Sequence, residues 1–209
     1  MKITDIAKKK GTRWQVDVDD AYWYILDAEL ILSYGLKTGL EVDEEFLAEV
    51  KEAAERRKAR ERAFYLLEGR EHSKKELVDK LCRSVSYEIA EETALHMEEL
   101  GLIHEDAYAR RLAEYLINVK KRGERRVRME MRQKGLDEEL IDAAIDAVQP
   151  DEELLTALVR KKYARYLGDE KGKNKAVQAL VRLGHSYYDA LEAVEIVEEE
   201  LEAEDEGED

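Results

Sequence analysis

The sequence predicts a mainly α-helical protein in which tandem three-helix repeats form an elongated, curved, solenoid-like array behind a small antiparallel β element. Two observations carry this prediction. One apolar pattern recurs at spacings of 50 and then 49 residues, first at Leu77 and Leu81, then at Val127 and Met131, and then at Ala176 and Leu180. The 209 residues also contain 11 Gly, 1 Pro and 41% charged residues, which is typical of a helical protein. A pattern repeated at this period indicates one supersecondary unit, copied and stacked.

Residues 1–42 are predicted to form the β-rich element. Trp14, Val16 and Val18 alternate with polar residues, and residues 22–25 form an aromatic, β-branched run. Gly11 and residues 17–20 supply turns, and a short helix precedes Gly35. We expect the aromatic side chains of Trp14, Tyr22 and Trp23 to form a small core under the sheet.

The first repeat is assigned to residues 43–104 and begins with a long helix. The apolar stripe of this helix is predicted to consist of Phe46, Val50, Ala53, Phe64 and Leu67. A capping box formed by Ser73 and Glu76 starts its second helix, and the third helix ends at Gly101.

The second repeat is assigned to residues 105–149 and the third to residues 150–201. Gly123 breaks the lead helix of the second repeat, and Gln149 and Pro150 end its last helix. Gly135 and Gly184 follow the second helices of the two repeats at the place of a left-handed C-cap. The almost purely acidic segment 202–209 is predicted to be disordered.

Composition excludes several classes of function. The formal net charge of −15 argues against a generic nucleic-acid binder, because phosphate contacts require positive potential. A single cysteine, Cys82, cannot form an intramolecular disulfide, lacks an activating partner, and favours a reducing cytoplasm. We expect neither a signal peptide nor a membrane segment. We also expect the protein to be a monomer.

One segment of the chain is locally basic although the net charge of the whole chain is negative. Residues 107–134 contain ten Lys or Arg against three Glu, which suggests a docking face. We predict that the face consists of Arg110, Arg111, Lys120, Lys121, Arg122, Arg125, Arg126, Arg128, Arg132 and Lys134, extended in the third repeat by Lys161, Lys162 and Arg165. An ordinary solvated helix surface is the alternative for any one of these residues.

No catalytic or cofactor site is predicted. The four histidines, His72, His96, His104 and His185, lack metal-ligand spacing, and no phosphate loop, nucleophile elbow or paired-carboxylate signature occurs. Helical spacing favours packing rather than base stacking for the pairs Tyr108/Tyr115 and Tyr187/Tyr188.

Between about residues 60 and 148 the chain resembles the RecX family of bacterial recombinase regulators. The resemblance rests on Tyr65-Leu66-Leu67, Arg70, His72-Ser73, Glu76-Leu77, Lys80-Leu81, Leu100-Gly101-Leu102-Ile103, Tyr108-Ala109, Gly123, Arg126-Val127, Glu130-Met131 and Lys134-Gly135-Leu136. It implies tandem three-helix repeats, in agreement with the spacing.

The resemblance further implies a partner and an activity. RecX-like proteins bind the filament that the recombinase RecA forms on single-stranded DNA. They limit filament growth, ATP hydrolysis, strand exchange and the co-protease activity that triggers the SOS response. The basic face would then dock on the filament, where direct contact with DNA phosphate can contribute. Two alternatives remain open at this point: a helical repeat protein that binds nucleic acid directly, and a helical scaffold for another protein.

Overall fold

The computed structural model describes residues 1–148 and 153–207, and divides them into two compact units. One unit comprises Met1–Glu71 with Leu77–Leu102, and the other comprises His72–Glu76 with the chain from Ile103 onward. No helix of the described residues is long and apolar enough to cross a membrane.

The first unit opens with the predicted antiparallel sheet. Strands β1 (Ile3–Lys8), β2 (Arg13–Val18) and β3 (Ala21–Asp27) pair in the order β1-β2-β3. The turn between β2 and β3 places Asp19 and Asp20 at φ of 49° and 63°, the backbone that a tight hairpin requires. The expected aromatic core is wrong in part, because Tyr22 is 61% exposed and Trp14 is half-buried. Successive side chains of each strand point to opposite faces of the sheet. The buried side chains are instead Ile3, Val16, Val18 and Leu26, with Trp23 packed against them.

Helices α1 (Ala28–Ser33), α2 (Glu44–Gly69) and α4 (Tyr87–Glu99) complete the first unit, together with the end of α3 (Lys74–Leu81). The long lead helix is confirmed, but its buried face differs from the prediction. Leu47, Val50 and three alanines are buried, whereas Phe64 is 47% exposed. The alanines Ala54, Ala59 and Ala63 let neighbouring backbones approach, so this helix packs with little apolar bulk.

The second unit contains two helical triples. Its first triple consists of α5 (Glu105–Glu114), which continues into a π-helical turn (Tyr115–Val119), and of α6 (Glu124–Gln133) and α7 (Glu138–Ala147). These helices surround one core cluster that includes Leu116, Val127, Met131 and Ile141. The predicted helix end at Gln149 and Pro150 lies outside the described residues.

The second triple consists of α8 (Leu154–Tyr163), followed by a 3-10 turn (Ala164–Tyr166), and of α9 (Glu170–Leu183) and α10 (Tyr187–Gly207). Helix α10 packs on α8 and α9 through Ala190, Ala193, Val194 and Val197. It continues to Gly207, so the helix enters segment 202–209, for which the sequence predicts disorder. Glutamate is a good helix former, and a helix that is already anchored by packing is extended at little cost.

The repeat pattern itself is confirmed. All six residues that define it, from Leu77 to Leu180, are 0% or 1% exposed. Gly135 and Gly184 follow α6 and α9 with φ of 83° and 101°, as left-handed C-caps require.

Candidate functional site

The basic surface is built on α6. This helix buries Val127 and Met131, four residues apart, and therefore turns Arg125, Arg128 and Arg132 towards the opposite side. The predicted arginines thus do share a helix face, but the structure surrounds most of them with acidic side chains.

Two arginines of this face are ion-paired with α7. Arg128 donates from Nε to the Glu124 carboxylate over 2.7 Å and from Nη1 to Asp142. Arg132 donates from Nη2 to the Glu138 carboxylate over 2.9 Å. The hydrogen bonds that Arg128 donates, first to Asp142 and then to Glu124, raise the pKa of Arg128 above its usual range. The positive charge of these two arginines is therefore largely balanced within the protein.

Four more of the predicted residues are also ion-paired. Arg110 pairs with Asp106, and both Arg122 and Arg126 lie beside Glu130, at 3.6 and 2.8 Å. Lys134 pairs with Glu76 over 2.6 Å. The count of ten cations against three glutamates in this segment consequently overstates the charge that a partner would meet.

Three cations of the segment keep their charge open to solvent. Lys120 and Lys121 lie in the loop before α6, and Arg125 lies in its first turn; we call these three residues the loop cations. Among the described residues, no acidic side chain is within ion-pairing distance of any of them. Lys120 and Arg125 are exposed, as is Arg111 on α5.

A close approach of two glycines fixes the loop that carries these cations. The Gly123 amide donates to the Leu183 carbonyl over 3.1 Å, and a Cβ at Gly123 would lie 2.2 Å from the Gly184 carbonyl carbon. The His185 imidazole Nε2 lies 3.1 Å from the Lys121 carbonyl oxygen. Burial lowers the pKa of His185, which favours the neutral ring. The loop is therefore held against the end of α9.

A second polar cluster forms where residues 72–76 join the second unit. The Glu76 carboxylate, 13% exposed, accepts hydrogen bonds from the Tyr108 hydroxyl over 3.0 Å and from the Lys134 ammonium. Ser73 caps α3 by accepting from the Glu76 amide, which confirms the predicted N-cap. The Glu76 side chain, however, contributes to this polar cluster. Its ion pair with Lys134 gives that lysine a structural role.

The basic residues predicted in the third repeat lie at the end of α8 and in its 3-10 turn. Lys161, Lys162 and Arg165 are all exposed. The Arg165 guanidinium lies 4.6 Å from the centre of the Tyr166 ring. Nearby Arg160 is ion-paired with Glu200 of α10.

The packing predicted for the tyrosines is correct at one position of four. Tyr108 is 9% exposed, but Tyr115, Tyr187 and Tyr188 are 44, 50 and 80% exposed. Cys82 is also exposed. Among the described residues, no group of three or more His, Cys, Asp or Glu side chains is arranged to hold a metal ion.

Comparisons with known proteins give one consistent result. The family model of RecX, second three-helix domain, matches residues 105–145, which are α5 to α7. The regulatory protein RecX of Clostridioides difficile is 27% identical over 191 residues, which cover 88% of this chain and 90% of that protein. A crystal structure of regulatory protein RecX superposes with a TM-score of 0.65 at 26% identity, covering 95% of this chain and 98% of that one. The crystal structure of RecX from Lactobacillus salivarius gives a TM-score of 0.59 at 25% identity, covering 72% and 99%.

Proposed function

Because the chain belongs to the RecX family of regulatory proteins, we propose that it binds the RecA filament on single-stranded DNA and restrains it. The proposed effects are slower filament extension, ATP hydrolysis and strand exchange, and reduced co-protease activity. The protein acts by binding. Family membership carries the proposal, and the loop cations supply a surface of the required charge.

The loop cations favour docking on an anionic partner for a physical reason. An ion pair that already exists must be broken before its arginine can bind another anion, whereas Lys120, Lys121 and Arg125 need no such exchange. Close charges across an interface couple by ~1.5 kcal/mol or more, so two such residues can change affinity by more than tenfold. We therefore place the docking surface at the loop cations rather than along the whole of α6.

A titration of the DNA-dependent ATPase activity of RecA tests the proposed function. Adding the protein to RecA on single-stranded DNA should lower the rate of ATP hydrolysis. An unchanged rate, together with no co-sedimentation with the filament, would contradict the proposal and favour a scaffold for another protein.

A charge reversal tests the proposed surface. The double variant Lys120→Glu with Arg125→Glu should bind the filament at least about tenfold more weakly at low salt. An acidic residue in the first turn of α6 suits the helix dipole, so this variant should stay folded. The matched control, Lys9→Glu with Lys10→Glu, makes the same charge change at exposed positions of the β1–β2 connection. Equal affinities of the two double variants would remove the loop cations from the docking surface.

A further inference from the structure

A basic segment that also carries an exposed tyrosine lies towards or just beyond the C-terminal end of the lead helix in each three-helix repeat. Residues 56–65 contain five Lys or Arg and one Glu, residues 110–122 contain the same, and residues 160–166 contain four Lys or Arg and no acid. Five of these cations are ion-paired within the protein, namely Arg56, Arg57, Arg110, Arg122 and Arg160. The tyrosines are Tyr65 in α2, Tyr115 in the π-helical turn after α5, and Tyr166 in the 3-10 turn after α8. Their exposed fractions are 66, 44 and 48%.

Each of these tyrosines has a cation beside its ring. The Arg62 guanidinium lies 5.0 Å from the centre of the Tyr65 ring, and the Arg165 guanidinium 4.6 Å from that of Tyr166. The Lys120 ammonium lies 5.3 Å from the centre of the Tyr115 ring. These distances are within the range of cation–π attraction, which orients an otherwise free ring.

The recurrence follows the repeat. Tyr65 and Tyr115 are 50 residues apart, the same spacing as Leu77 and Val127. In the third repeat the 49-residue spacing leads to Ala164, and the exposed tyrosine follows two residues later, where the 3-10 turn replaces the π-helical one. A different local turn thus keeps an aromatic ring beside cations at the end of the lead helix.

The other strongly exposed tyrosines lack this arrangement. Within residues 1–148 and 153–207, no cation is found over the ring of Tyr22, Tyr87, Tyr187 or Tyr188. Tyr87 instead donates a hydrogen bond to Glu91, and Tyr187 and Tyr188 begin an acidic helix. Exposure of tyrosine is therefore general in this chain, whereas the pairing of an exposed ring with a basic segment recurs once in each repeat.

We propose that Tyr65, Tyr115 and Tyr166 each stack on an unpaired base of single-stranded nucleic acid, while the cations beside the rings, Arg62, Lys120 and Arg165, contact the adjacent phosphates. Base stacking on aromatic rings within a positively charged surface is the general mode of sequence-tolerant single-strand binding. Duplex DNA buries the base faces, and an acidic peptide would engage the cations without needing the rings. This inference deepens the proposed function, on which it rests, by giving the protein its own contact with the DNA strand.

Fluorescence anisotropy with the full chain tests the proposal. The probes are a labelled mixed-sequence single strand, a strand of equal length with abasic sites in place of the bases, and a blunt duplex. The wild-type protein should bind the single strand more tightly than either of the others. Equal affinity for the abasic strand would overturn the proposal, because charge alone would then explain binding.

Substitutions locate the contact. Tyr115→Ala and Tyr166→Ala should each weaken single-strand binding by at least about fivefold, and Tyr115→Phe should bind as the wild type does, because stacking needs the ring and not the hydroxyl. Tyr188→Ala, which removes an exposed tyrosine without a cation, is the matched control. If Tyr115→Ala and Tyr166→Ala bind like Tyr188→Ala, the tyrosines are not base contacts. If polyglutamate displaces the single strand from the wild type and from Tyr115→Ala equally well, the site is one for an acidic protein segment instead.

The ATPase titration with RecA separates this inference from the proposed function. If the wild-type protein inhibits RecA but shows no preference for unpaired bases, the proposed base contact is wrong and the proposed regulatory function stands. A tyrosine-dependent preference for single strands without any effect on RecA would keep the base contact and remove the regulator.

Discussion

Replacing Gly123 by alanine should test whether the loop cations are held in place by the close approach of two glycines. A Cβ at this position would lie 2.2 Å from the Gly184 carbonyl carbon and from the His185 amide nitrogen. Non-bonded carbon atoms come no closer than ~3.5 Å without strain, so the two backbones would have to separate by about 1.3 Å. The obstruction is main chain, so no side chain can move to relieve it.

The magnitude follows from three contributions. Overpacking of this kind costs ~1–3 kcal/mol, and each hydrogen bond lost at the junction costs about 0.5–1.5 kcal/mol. The candidates for loss are the bonds from Gly123 to Leu183 and from His185 to Lys121, both 3.1 Å long. Alanine restricts the unfolded chain and returns ~0.4–1 kcal/mol. With both bonds lost, the expected net loss is about 1–5 kcal/mol, or roughly 2–20 °C in Tm for a chain of this length.

Circular dichroism during thermal and urea unfolding would measure this loss. Gly168→Ala is the matched control, because a Cβ there meets nothing within 4 Å. We expect that control to unfold within a few degrees of the wild type. If Gly123→Ala and Gly168→Ala share one unfolding midpoint, the glycine contact does not constrain the loop, and the argument from steric exclusion is wrong.

Three further outcomes are expected. Glu76→Ala should lower the free energy of unfolding by ~1–3 kcal/mol, since the Tyr108 hydroxyl and the Lys134 ammonium lose an acceptor that is largely shielded from water, whereas the exposed Glu139→Ala should change little in the same urea titration. Burial lowers the pKa of His185 in the folded protein, although the Lys121 carbonyl and Asp189 act to raise it. As the pH falls through ~6.5, His185 is therefore protonated in the unfolded chain before it is protonated in the folded protein, and the free energy of unfolding should decrease. His185→Gln keeps a donor for Lys121 without titrating, and a Tm as pH-dependent as that of the wild type would show that another group is responsible. If the protein caps the ends of RecA filaments, it should inhibit filament growth well below one molecule per RecA subunit, as measured by light scattering. If near-equimolar protein is required, capping is excluded and coating of the filament is left as the mechanism.

The helical periodicity made the repeat predictable, because every copy must bury the same positions. Leu77, Val127 and Ala176 could be aligned from sequence since their burial depends on helices that lie close to them along the chain. Gly123 shows the limit of this reasoning. Its sequence context predicts a helix break, but its contact with Gly184 joins residues about sixty positions apart, and no local pattern contains that information.

The basic surface was predictable in composition but not in available charge. The pairs Glu124–Arg128 and Arg126–Glu130 have the i,i+4 spacing that allows ion pairing on one helix. The pairing of Arg132 with Glu138 depends instead on how α6 and α7 meet.

Tyr115 was predicted to pack because it lies seven residues after Tyr108, on nearly the same side of an ideal α-helix. The chain departs from that helix at this point: the Lys120 amide donates to the Tyr115 carbonyl, five residues back. This π-helical turn changes the direction in which the following side chains project.

Helix α10 changes how the net charge of the chain should be understood. Residues 187–209 contain twelve acidic residues and no basic one, so the first 186 residues carry a formal net charge of only −3. Two glutamates of the helix anchor it, Glu200 to Arg160 and Glu198 to Lys173, and most of the others face solvent. The acidic charge is thus concentrated in one segment of the sequence. Charge is screened beyond ~8–10 Å, so a polyanion that approaches the protein meets the local charge of the segment in front of it and not the net charge of the chain. The encounter is therefore governed by orientation, and the total charge is a poor guide to which partners the protein can meet.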